Sequence, residues 1–133
     1  MSNQSPEALL AIVNGMRESE SSREGAIHQL KEFPTPAVID RLIQALEDDD
    51  SGVRWAAAST LIEFGDPVAR PLLHALVEKT DSVWLREGAY RVFHDTRSAT
   101  IQAATADVVK ALKGPAAGLM TTEAAVKALG RLG

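Results

Sequence analysis

The run Val53-Arg54-Trp55-Ala56-Ala57-Ala58-Ser59-Thr60-Leu61-Ile62-Glu63-Phe64-Gly65-Asp66, preceded by Glu47-Asp48-Asp49-Asp50, decides the fold. Val53, Ala57, Leu61 and Phe64 recur at intervals of three and four residues, which places them on one face of a helix and predicts that they point inward. Acidic residues just before a helix complement the partial positive charge of its N-terminus. Glycine after the last apolar residue is the usual way to end one. The spacing therefore predicts a helix starting near Ser51 and closing at Gly65.

The same features return on both sides of this run, at a period of roughly thirty residues that suits a short helical repeat. Arg23-Glu24-Gly25-Ala26, ending at Leu30, stands one period before Arg54-Trp55-Ala56-Ala57, which ends at Leu61, and Arg86-Glu87-Gly88-Ala89, ending at Phe93, stands one period after. A Gly or Ala two places after each arginine, followed by Ala, predicts close approach between successive helices. Ser5-Pro6, Thr35-Pro36 and Asp66-Pro67 keep the same period, and each reads as an N-cap followed by proline at the first helical position. Ser98 stands one period beyond Asp66 without the proline. Behind these caps lie apolar sets at helical spacing, namely Leu9, Leu10 and Val13; Val38, Ile39, Leu42, Ile43 and Leu46; Leu72, Leu73, Leu76 and Val77; and Val108, Val109 and Leu112. They mark first helices, each followed by a second. Lys113-Gly114-Pro115-Ala116-Ala117-Gly118 reads as a turn, and Thr121 to Leu129 as a divergent terminal helix with threonine where arginine stood. No strand-like alternation occurs.

The central run resembles the short HEAT-like repeat named after the phycobilisome lyases, in which an acidic residue precedes Val-Arg, an alanine cluster, a leucine and a closing glycine. The resemblance covers residues 6 to about 96 and implies an all-α fold, an α-α superhelix of HEAT/armadillo type. It comprises three clear helical pairs plus a divergent fourth, in one domain over 1–133 with units at about 5–34, 35–65, 66–97 and 98–133. Pro71-Leu72-Leu73-His74-Ala75 has an ankyrin flavour but occurs once, and the tetratricopeptide pattern does not appear. Such a fold serves scaffolds, adaptors and enzyme subunits alike, so function must come from particular residues.

Composition narrows the classes. The 133 residues suit one short repeat stack, and 45% apolar content with 5% aromatic residues suits a helical core. Cysteine is absent, which removes disulfides, thiolate metal sites and cysteine nucleophiles and fits a reducing compartment. The opening MSNQSPEALL does not read as a signal peptide, and no long apolar run predicts a membrane span. A cytoplasmic protein is expected. A net charge of −4 disfavours nucleic acid and anionic membrane as partners. The charge is uneven, with five Lys+Arg against twelve Asp+Glu in residues 1–66 and nine against six in 67–133. Halves of opposite sign allow head-to-tail self-association.

No catalytic constellation is found. His28, His74 and His94 lie apart and lack the paired His-Glu motifs of the HEAT-repeat iron hydroxylases, and the Glu47–Asp50 run lacks the alternating ligands of a calcium loop. No metal, no cofactor and no catalytic residue is expected. In the resembled family, Arg23, Arg54 and Arg86 would form a structural ladder that fixes one unit against the next, pairing with Glu20, Asp50 and Asp81. The exposed side of the second helices would line the concave face that takes partners: Glu24, His28 and Lys31, then Trp55, Ser59 and Ile62, then Glu87, Arg91 and His94. Trp55 replaces glutamate at this offset, so the repeat itself does not require it. Either it anchors a partner or it folds onto a neighbouring helix. The expected function is a non-catalytic protein-binding scaffold or adaptor. The alternative is a component similar to the bilin lyases, which act on tetrapyrrole attachment.

Overall fold

The computed structural model describes residues 5–15 and 19–132, with only the backbone at Glu20. Eight α-helices are found among them, and no strand: α1 (Pro6–Asn14), α2 (Glu20–Gln29), α3 (Pro36–Ala45), α4 (Ser51–Phe64), α5 (Ala69–Glu78), α6 (Val83–Asp95), α7 (Ala99–Lys113) and α8 (Ala117–Leu132). Caps set most of the starts. The side chains of Ser5, Ser19, Thr35, Asp50, Ser82 and Ser98 each accept a hydrogen bond from the backbone N–H three residues on, satisfying a donor that the helix leaves unpaired. Asp66 departs from expectation. It opens a 3₁₀ turn (Asp66–Val68) that leads into α5, and its carboxylate accepts a hydrogen bond from the Ser98 hydroxyl instead of capping a helix. Gly65 ends α4 at φ 75°, a conformation that side chains with a Cβ rarely take.

The helices form two layers, α1, α3 and α5 in one and α2, α4 and α6 in the other, and the second helices stack on each other more closely than the first do. Side-chain size explains the difference. Ala26, Ala57 and Ala89, one period apart, are buried in the second layer, where the first layer buries Leu9, Ile39 and Leu73. At Gly52 a Cβ on α4 would run into the Glu24 carboxylate of α2, and at Gly88 on α6 it would lie 2.9 Å from one terminal carbon of Leu46, at the end of α3, and 3.2 Å from its Cβ. Gly25 has no such neighbour within 4 Å, so close approach holds at one of the two glycines that stand two places after a ladder arginine. A stack that is tighter in one layer bends toward it, which puts the second helices on the concave side over α1 to α6; past α6 the closer packing lies between α5 and α8.

The fourth unit reverses this order. Sequence spacing predicts α7 as a first helix, but α7 packs on α6 in the second layer and α8 packs on α5 in the first. Helices α5 to α8 therefore close into a ring that ends the stack. The α7–α8 turn is also shorter than its glycines suggest, since α8 already includes Gly118.

Successive units are joined by polar contacts at the repeat period itself, because stacking puts equivalent positions side by side. Lys31 meets Glu63 at 3.4 Å and Lys79 meets Glu47 at 2.7 Å, each pair one period apart in sequence. Burial pushes the Glu47 carboxyl up, but hydrogen bonds donated by Lys79 and the Ser82 hydroxyl, with the Lys79 charge behind them, outweigh it and hold the group below the ordinary carboxylate value.

Candidate concave binding face

The three ladder arginines all stand fourth in their helices, yet they do not make the expected pairs. Arg54 donates to the Asp48 carbonyl at 2.6 Å and Arg86 to the Thr80 carbonyl at 2.8 Å. Asp50 is instead the α4 cap, accepting from the Val53 N–H at 3.0 Å, and Asp81 is exposed with no ion pair among the described residues. At Arg54 the physical reason is local: a cap carboxylate is already turned toward its own helix, so the guanidinium reaches the loop carbonyl six residues back. The Glu20 side chain, expected to pair with Arg23, lies outside the described residues. Arg23 crosses to the next unit and meets Asp48 at 3.2 Å, with both side chains largely buried. Asp48 thus joins units one and two, taking Arg23 on its carboxylate and Arg54 on its carbonyl. Burial and the nearby Arg23 charge lower the Arg41 pKa, while Asp48 opposes the shift.

These contacts reduce what Arg54 contributes. With a half-buried guanidinium on one carbonyl, Arg54→Ala is expected to lower stability by about 1–2 kcal/mol, less than breaking a buried ion pair. A denaturant midpoint showing a loss above about 3 kcal/mol would contradict the geometry.

Arg54 also does something the sequence did not reveal, since its guanidinium lies 4.2 Å from the ring centroid of Trp84 on α6. In return Arg91 of α6 lies 3.4 Å from the ring centroid of Trp55 on α4. Each helix gives one tryptophan and one arginine to the other. Such stacks are worth about 0.5–1 kcal/mol at exposed sites, enough to fix the rings without holding the fold. Both rings stay accessible, Trp55 at 54% and Trp84 at 39%. Trp84 was legible only as the second tryptophan of a chain poor in aromatic residues, close to one period after the first.

Around these stacks two hollows adjoin, sharing Glu87 and Arg91. A small one of about 100 Å³ lies between α4 and α6 over Leu46 and Gly88. A larger groove of about 670 Å³ runs from α6 to the end of α7 and the start of α8, lined by Val83, Arg86, Tyr90, His94, Asp95, Leu112, Lys113 and Ala117. Tyr90 and His94 stack with centroids 5.2 Å apart, and His94 Nδ1 is 2.8 Å from the Asp95 carboxylate. Of the residues expected on this face, the structure gathers Trp55, Glu87, Arg91 and His94. Ser59 is half-buried, and Ile62 packs against the core instead of standing exposed. Glu24 is half-buried, His28 is exposed, and Lys31 is engaged with Glu63. None of these three lines either hollow.

Two other surfaces compete. A cleft of about 750 Å³ on the first-helix side, between α3 and α5, has mixed charge and no aromatic lining. Helix α8 exposes Leu119, Met120 and Val126. No group of three metal-ligating side chains is found among the described residues, and none of their helices is long and apolar enough to cross a membrane.

Paired helices that recur with the period of Arg23, Arg54 and Arg86, with small residues in the inner layer, define an α-solenoid. The chain belongs to the HEAT repeat family, whose profile matches residues 6–94. That match ends where the inverted fourth unit begins, and it does not distinguish the phycobilisome-lyase type. HEAT repeats build helical scaffolds for protein interaction in general. No curated protein and no solved structure matches the chain.

Proposed function

We propose that this chain is a non-catalytic adaptor, cytoplasmic in keeping with its lack of cysteine, whose protein partner docks along the concave face of α4 and α6. One observation carries the reading: two exposed tryptophans are held in place by arginines of the neighbouring helix. A large rigid ring loses little entropy on binding and excludes much water, which is why Trp and Arg are enriched at the centres of interfaces.

Trp55→Ala is expected to change folding stability by no more than about 1 kcal/mol and to weaken partner affinity by about 2 kcal/mol or more. The test compares proteins captured from the source cell by the parent chain, by Trp55→Ala and by His74→Ala, which alters the exposed outer side of α5. Proteins kept by the parent and His74→Ala but lost from Trp55→Ala support the reading. An identical set from all three removes it.

A further inference from the structure

We propose that the concave groove takes an acidic peptide segment of a partner protein, in which aspartate or glutamate side chains flank a large apolar residue. The inference rests on the second helices being the binding face and adds the chemistry of what binds there. The whole chain carries −4, yet the two hollows are lined by four cations, Arg54, Arg86, Arg91 and Lys113, against two carboxylates, Glu87 and Asp95. Asp95 already faces His94. Outside the groove, Arg23, Lys31, Lys79 and Arg131 have carboxylate partners, whereas Arg41, Arg70, Arg97, Lys110 and Lys127 have none within 4.0 Å among the described residues, so the groove is set apart by the gathering of four cations and not by their lacking partners. Among the described residues, none of the four groove cations has a carboxylate within 4.0 Å.

The stacking geometry prepares these charges for carboxylates. A guanidinium lying over an aromatic ring is fixed in orientation and keeps N–H donors at its edge, the fork that matches a carboxylate. Arg91 has this arrangement over Trp55, and Arg54 over Trp84 with one of its nitrogens on the Asp48 carbonyl. Beside them Val83, at 57% exposure, and the two indoles offer apolar surface for an aliphatic or aromatic side chain. A polyphosphate backbone fits less well, because it brings no aliphatic side chain for the exposed Val83.

The experiment measures fluorescence anisotropy of the full chain with a labelled peptide Asp-Glu-Leu-Asp-Glu-Phe-Glu-Asp and with its counterpart carrying Asn and Gln at the acidic positions. Oligouridine serves as competitor. The acidic peptide is expected to bind about tenfold or more tightly than the amide peptide, and to weaken as salt rises. Combining Arg86→Gln with Lys113→Gln, which leaves both arginine–tryptophan stacks in place, is expected to cut that preference to about threefold or less while leaving the amide peptide unchanged, with a denaturant midpoint lowered no more than by Arg54→Ala. Equal binding of the two peptides, no binding of either, or stronger competition by oligouridine than by unlabelled acidic peptide overturns the proposal. If Trp55→Ala still loses its captured proteins while the acidic peptide fails, the charge preference falls and the binding face stands. If Trp55→Ala keeps its captured proteins and the peptide also fails, both fall.

Discussion

Phe93→Ala is expected to cost about 3–5 kcal/mol, a large share of the roughly 5–15 kcal/mol that stabilises a typical domain. Phe93 is 1% exposed on α6, where the first two units close with Leu30 and Leu61. Its helix is in contact with α4, α5 and α7, so the core it fills is shared by the regular units and the closing ring. Truncation there loses the transfer energy of the ring and leaves a cavity that helices fixed on three sides cannot collapse into. The half-buried Phe33 and Phe64 should cost less. Urea unfolding followed by circular dichroism measures it, with the m-value as a check that unfolding stays two-state. A loss below about 1 kcal/mol would mean the site relaxes freely and that the C-terminal ring is not packed as described.

Leu46→Ala is expected to cost about 2–5 kcal/mol, and its dependence on Gly88 makes it a test of helix approach as well as of burial. The Leu46 side chain, 1% exposed, lies on the bare backbone of Gly88 beneath the small hollow. Gly88→Ala alone should change little, because about 1 kcal/mol of helix propensity is offset by the displacement forced on Leu46. With Leu46→Ala already in place the two terminal carbons are gone and only the contact with its Cβ at 3.2 Å remains, so the added methyl displaces less. Gly88→Ala should then be more favourable than in the parent, by up to about 1 kcal/mol, so the two changes are non-additive. Additive effects in the double-mutant cycle would show that the two residues do not touch.

The sequence by itself determined the period, the first three helix pairs, the caps Ser5, Thr35 and Ser98, and the family, since these depend on contacts within one helix or on a pattern repeated along the chain. Arg23, Arg54 and Arg86 stand at one helical position because their spacing says so. Tertiary structure decided what those side chains touch. Asp50 and Asp81 are near Arg54 and Arg86 in sequence, but one carboxylate caps its own helix and the other stays in solvent, so loop carbonyls took their place. The reciprocal stacks, Arg54 on Trp84 and Arg91 on Trp55, join residues at intervals of 30 and 36, and only the first is close to the repeat period; neither spacing says which side chains turn toward each other. The exchange of layers by α7 and α8 was likewise hidden: an amphipathic helix carries the same apolar stripe whichever layer it joins, and only the space left beside α5 and α6 selects one.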